Sequence, residues 1–353
     1  MNWKWYLSDL KDVPKNGLKV FSCFSCGGGS TMGYKMAGCT VLGNVEIDPK
    51  MNMLYKKNHN PKYNFNMDIR KFKKLPDDKI PDELFDLDIL DGSPPCSSFS
   101  MAGAREKGWG KKKKFREGQK EQTLDDLFFD FIDVVEKLKP KVVIAENVKG
   151  MISGNAKGYV REVIKRYKEA GYETQIFLLN AALMGVPQSR ERVFFVSKRI
   201  DLHLPKVKMD FREKPIPYGE VEKQCKVKVG KPISQALRKW YFKTPAGLRL
   251  ADVHPKGSFF SYRKLHPEKV AVTLTASTSG THLHPKEPCG ISDEAIIGLQ
   301  SFPQDYDFMD QNVQYVCGMS VPPLMMKGVA SEVIRQCFGK ELAAHGNSKA
   351  ENR

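Results

Sequence analysis

The chain has no apolar run approaching the roughly 20 residues that a membrane-spanning helix requires. Its first residues, from Met1 to Asp12, carry no apolar core behind their basic positions, so no secretory signal is expected. No segment recurs at a fixed period, which excludes a solenoid. Cysteine is sparse: eight residues scattered over 353 read as reduced thiols in a cytoplasmic protein, not as a disulfide framework. Cys23 and Cys26 form a CxxC pair, but no second pair and no histidines follow at ligand spacing. No metal site is expected, and the pair reads as two thiols at the end of a buried strand.

Positive charge, by contrast, is plentiful. The net charge is +16, and two internal stretches hold nearly all of it. Residues 105–120 carry a net +6, and residues 198–249 a net +9. A charge run is often only a solvated face. These two lie beside the motifs described below, which favours contact with a polyanion.

From Leu18 the pattern alternates short β-rich runs with helical stretches, the signature of a parallel α/β sheet. Strands are expected at Leu18–Ser25, Thr40–Ile47, Leu87–Leu90, Val142–Ala145, Glu173–Leu179 and Val193–Ser197. Helices are expected at Leu124–Leu138 and Lys157–Ala170, with Pro49 opening another and Gly171 capping the second. After Lys198 prolines and lysines become frequent and periodicity fades. The reading is a catalytic and cofactor-binding domain over 1–198, completed by 316–340 and its helix Pro323–Phe338. A smaller irregular domain spans 199–315, and 341–353 is a polar tail.

Four motifs carry chemistry. Phe24-Ser25-Cys26-Gly27-Gly28-Gly29 turns from a strand into a helix, where glycines allow close approach of a ligand. Glu46 ends the next strand, the place for a carboxylate that accepts from ribose hydroxyls. Asp68-Ile69 is a further candidate, to bond an adenine amino group and cover its ring. The turn is not a GxGxxG, which argues against a nicotinamide enzyme. Pro94-Pro95-Cys96 follows a strand at its carboxyl end, where parallel sheets place their active sites. Alone, Cys96 reads equally as a nucleophile and as a structural residue in a proline turn. Glu146-Asn147-Val148 ends the next strand, aiming a carboxyl that can hold a proton at the same edge. Gln188-Ser189-Arg190-Glu191-Arg192 places two arginines two apart, on one face of a strand.

These motifs, in this order and closed by Gly318-Met319-Ser320-Val321-Pro322-Pro323, resemble the DNA cytosine-5 methyltransferase family of bacterial restriction-modification systems over about residues 18–338. The resemblance implies a Rossmann-like domain that binds S-adenosylmethionine, with a smaller target-recognition domain. It implies that Cys96 attacks C6 of a flipped cytosine in double-stranded DNA, that Glu146 holds the base, and that Arg192, with Arg190 beside it, braces base and nucleophile. Phe24, Gly28, Gly29, Glu46, Asp68, Ile69, Pro95, Leu127 and Ser320 are implied as the cofactor site. Ser100 and Lys111, Lys112, Lys113 and Lys114 are implied as DNA contacts on a catalytic loop from Ser100 to Thr123. The stretch 199–262 occupies the place of the recognition region, and 263–275 resembles the segment that organises it. Two positions depart from the family pattern: Cys26 stands at a usual glycine and Met319 at a usual asparagine. The Cys-Phe-Thr signature of the RNA-directed branch is absent. A cytoplasmic, nucleoid-associated monomer is expected, with a separately acting restriction endonuclease as a further partner.

Overall fold

The computed structural model describes residues 2–95, 126–153, 157–277, 280–339 and 342. The first half winds β1 (Lys19–Cys23), α1 (Gly29–Met36), β2 (Thr40–Val45), α2 (Pro49–His59), β3 (Tyr63–Phe65), α3 (Ile69–Phe72) and β4 (Ile89–Gly92). Then come α4 (Leu127–Leu138), β5 (Val142–Val148), α5 (Lys157–Glu169), β6 (Tyr172–Asn180), β7 (Gln188–Ser189) and β8 (Glu191–Arg199). The less regular stretch holds α6 (Tyr218–Gln224), β9 (Val229–Pro232), α7 (Gln235–Lys243), β10 (Arg263–Lys264), β11 (Ala271–Val272), β12 (His282–Leu283) and β13 (Cys289–Ile291). The chain closes with α8 (Asp293–Leu299), α9 (Val313–Met319) and α10 (Pro323–Val333).

Helix boundaries follow local chemistry. Asp48 caps α2 by accepting from the backbone N–H of Lys50, and Pro49 stands in the first turn. Asp68 caps α3 in the same way, and Gly171 takes a positive φ of 88° just beyond α5.

Seven strands form one sheet in the order β3-β2-β1-β4-β5-β8-β6. The sheet is Rossmann-like, but not wholly parallel as expected: β8 runs antiparallel to both β5 and β6. The cause is the link from β6 to β8, which holds no crossover helix, and a parallel return would need one. Alternation sorts the strand side chains. Val20, Ile89, Ile144 and Val196 pack with α1, α2 and α10, whereas Phe21, Leu90, Val143 and Phe195 pack with α4 and α5.

Chain order reverses at β1, which has β2 on one side and β4 on the other. A crevice opens at the carboxyl ends of such strands. Packing also crosses the composition boundaries. Tyr218, Val221, Ala295, Leu299 and Phe302 share the core of α10, while Leu237, Tyr241, Leu250 and Leu283 form a small core of their own. No described helix is long and apolar enough to cross a membrane.

Candidate active site and cofactor cavity

A cavity fills the crevice beside β1. Phe24, Glu46, Asp68, Ile69, Pro95 and Leu127, all singled out in the sequence, line it together. Cys26, Asp48, Met51, Tyr315 and Met319 also belong to the wall. Met51 and Tyr315 carried no signal beyond their place on helices next to motif residues. Asp48 carried no signal beyond its place before Pro49, where an Asp can cap a helix.

Glu46 is buried, and each carboxylate oxygen takes one backbone N–H: Oε2 from Cys26 at 2.8 Å and Oε1 from Asp48 at 2.9 Å. Burial raises its pKa, and those two N–H bonds oppose the rise. A carboxylate oxygen accepts more than one hydrogen bond, so Glu46 can still receive a pair of hydroxyls. Phe24, Ile69 and Leu127 give apolar surface suited to a flat ring, with the Asp68 carboxylate at its margin. This mixture suits an adenosyl group. Cys26 adopts a φ of +45°, a conformation that favours glycine, and its thiol lies 3.7 Å from the Met51 sulfur. Burial, reinforced by Glu46, pushes that thiol pKa up to about 12.

Gly28, Gly29 and Ser320, also expected at the cofactor, pack closely against neighbouring protein. A Cβ on Gly28 would lie 2.0 Å from His59 Nε2, and one on Gly29 would lie 2.1 Å from the Val321 carbonyl oxygen. These glycines make room for protein, not for a ligand side group. The Ser320 hydroxyl is buried and donates to the Val316 carbonyl at 2.9 Å. From the same motif, Met319 faces the cavity instead.

The second part of the candidate site is built on β5. Glu146 Oε1 meets Arg192 Nε at 2.7 Å, with both side chains largely buried. Burial lowers the Arg192 pKa and Glu146 opposes the fall. Asn147 Nδ2 donates to the Pro94 carbonyl at 3.1 Å, tying β5 to the turn that leads into Cys96. Cys96, Ser100 and Lys111 to Lys114 lie outside the described residues.

Arg190 lies close enough to Arg192 and Glu146 for both charges to act on it, but its hydrogen bonds go to the backbone. It falls between β7 and β8, is 2% exposed, and donates to three carbonyls. Nη1 reaches Leu274 at 2.8 Å, and Nη2 reaches Gly318 at 2.9 Å and Ser320 at 3.1 Å. Gln188 Oε1 accepts the N–H of Leu274 at 2.7 Å. The motif therefore grips both ends of one residue in the 263–275 segment, and Arg190 also holds the 318–320 turn. Glu191 points away to Lys149. Among the described residues no cluster suits a metal ion, and the seven described cysteines are free thiols.

The model of the C-5 cytosine-specific DNA methylase family matches residues 18–335. Among curated relatives, the Type II methyltransferase M.FnuDI of Fusobacterium nucleatum is 34% identical over 284 residues, covering 77% of this chain and 74% of that protein. M.NgoFVII of Neisseria gonorrhoeae, also a Type II methyltransferase, is 30% identical over 90% of this chain and 87% of its own length. A DNA modification methyltransferase encoded within an E. coli prophage shares the fold with a TM-score of 0.70 at 19% identity, over 91% of this chain and 99% of that one. Dnmt2 methyltransferase of S. pombe does so at 0.61 and 15%, over 90% and 98%.

Proposed function

Because the chain belongs to the C-5 cytosine-specific DNA methylases, we propose that it methylates C5 of a flipped-out cytosine in a short sequence of double-stranded DNA through a Cys96–C6 bond. DNA cytosine methylation with S-adenosylmethionine is the reaction of that family. The observation that carries the finer reading is the buried Glu146–Arg192 pair at the carboxyl end of β5, bonded through Asn147 to the turn entering Cys96.

Each residue has a task in this reading. The reacting faces of cytosine are buried by stacking, so the base must leave the duplex. Glu146 holds it at N3 and the exocyclic amine, and Arg192 fixes that carboxyl. The Cys96 thiolate adds to C6 as Glu146 gives a proton on the N3 side, which leaves an enamine with a nucleophilic C5. Glu46, Asp68 and the apolar wall of Phe24, Ile69 and Leu127 would hold S-adenosylmethionine, which when bound would supply an electrophilic methyl group for C5. Loss of the C5 proton to solvent then breaks the Cys96–C6 bond and returns the thiolate, while N3 gives its proton back to Glu146. The loop lysines 111–114 neutralise phosphates. Arg190 contributes by position, holding Leu274 and the 318–320 turn. A separately acting endonuclease of the same site specificity completes a restriction-modification pair, and the enzyme works as a monomer on one flipped base.

The test is incubation of a mixed-sequence duplex with methyl-labelled S-adenosylmethionine, followed by bisulfite sequencing. Label is expected at cytosine within one short motif, and a 5-fluorocytosine duplex should trap a covalent adduct. Wild-type label that persists in Cys96→Ser would remove Cys96 as nucleophile. Label in transfer RNA and none in duplex would move the enzyme to the RNA-directed branch.

A further inference from the structure

The small lobe of residues 226–291 has an ordered helix on its surface, α7. Leu237 and Tyr241, one turn apart, bury its inner face against Leu250 and Leu283. The Tyr241 hydroxyl fixes it by donating to the His284 carbonyl at 2.8 Å. At about 100° per residue, Gln235, Arg238, Lys239 and Phe242 fall together on the outer face. All four are exposed.

Phe242 is 63% exposed, and the Arg238 guanidinium lies 5.6 Å from its ring centroid. Phe242 is not alone: Val227, Val229, Leu248 and Phe260 of the same lobe are also exposed, and several open apolar side chains on one lobe are a mark of an interaction surface where a single one is not. The charge around it is one-sided: residues 226–249 hold seven Lys or Arg and no Asp or Glu. A partner must therefore offer dense negative charge and apolar groups at close spacing. The major groove of duplex DNA does so, with phosphates on its walls and thymine methyl groups among its base edges. Gln and Arg side chains match adenine and guanine edges there, and Phe matches a thymine methyl. Nine residues of helix extend roughly 13 Å, enough to cross about four base pairs.

We propose that α7 is a recognition helix, inserted in the major groove with Gln235, Arg238 and Phe242 on base edges and Lys239 and Lys243 on phosphates. This rests on duplex DNA being the substrate. It adds that sequence is read from a helix face, rather than from the proline-rich loops of the same region.

The experiment uses the full chain with a duplex pool randomised at its centre, measuring selected binding and, separately, methyl transfer. Arg238→Ala and Phe242→Ala should each relax the base preference at one position and raise the DNA KM at least about fivefold, the lower end of a base contact. Lys239→Ala should weaken all sequences alike and flatten the salt dependence. The cofactor KM should stay fixed. Unchanged base preference and DNA KM in Arg238→Ala and Phe242→Ala overturns the proposal. If the wild type binds with an α7-dependent preference but methylates no duplex, the methyltransferase reading fails and the recognition helix stands.

Discussion

Asn147 donates through Nδ2 to the Pro94 carbonyl at 3.1 Å, so the strand that carries Glu146 and the turn that enters Cys96 are joined by one side chain. Its Oδ1 also accepts the N–H of Val148 at 2.9 Å, which fixes the amide orientation. Asn147→Ala removes the tether and leaves the cavity wall intact. The turnover number should fall about ten- to a hundredfold, the scale of a small misplacement of reacting groups. Cofactor affinity, followed by calorimetry, should stay within about twofold.

Glu146→Gln keeps the size of the side chain and removes its exchangeable proton. Methyl transfer should drop by about two to four orders of magnitude, with little change in the melting temperature. Arg192→Ala behaves differently, because it leaves a buried carboxylate without its cation. It should cost both activity and about 3 kcal/mol or more of stability, measured by urea unfolding.

Gly28 has a φ of +78°, and its missing side chain is the space taken by the His59 ring. Gly28→Ala should destabilise by more than about 2 kcal/mol, from strain and overpacking together. His59→Ala empties that space. Stability lost in Gly28→Ala should be partly restored in the double variant, and strict additivity in the cycle would refute the contact.

Asp91 on β4 is buried, with Ser22 Oγ donating to it at 2.6 Å and Tyr34 OH at 3.3 Å. Burial raises its pKa from 3.8 to about 7, against those hydroxyl bonds. The folded state therefore retains a proton that the unfolded chain loses. The stabilisation is complete below pH 3.8 and is lost as pH rises to about 7. His59 has the opposite sign. Burial, aided by Lys35, lowers its pKa from 6.5 to about 3, so its contribution is lost as pH falls through that range. Asp91→Asn should flatten the decline of stability between pH 4 and 7 and gain up to about 4 kcal/mol above pH 7. Unfolding by urea at several pH values measures the slope. An unaltered slope would show that Asp91 is not the group responsible.

Met319 lies on the cavity wall at 37% exposure, where the family pattern has asparagine. Met319→Asn adds an amide that can bond a polar ligand. The KM for S-adenosylmethionine should fall about threefold or more, the worth of one added hydrogen bond. Steady-state kinetics at saturating DNA gives the value.

The sequence and the structure agree where chemistry needs a residue type at a strand end. Glu46 and Pro95 follow strands, Asp68 opens a helix and Glu146 lies near the carboxyl end of β5, and a parallel sheet collects such positions at one edge. A glycine in the sequence does not say what fills the space of its absent side chain. At Gly28 it is His59, and at Gly29 it is the Val321 carbonyl. Counting by two puts Arg190 near Arg192, and the two charges do act on each other; what the sequence does not show is that its side chain bonds three carbonyls. The antiparallel course of β8 was legible in principle, since no helical pattern separates Leu179 from Val193. Helix α7 was not, because Pro232 and the lysines around it mask a helix of only nine residues.

Gly33 of α1 would bring a Cβ within 2.5 Å of Met326 on α10, so the two helices meet almost backbone to backbone. The cover for one face of the sheet is thus supplied by a segment far along the chain from β1 and α1. On the ribosome, β1 and α1 are made well before it, and their apolar face stays open until residues 323–338 follow. A chain stopped before Pro323 should therefore leave that apolar face uncovered, and is expected to be cut by protease faster than the full chain.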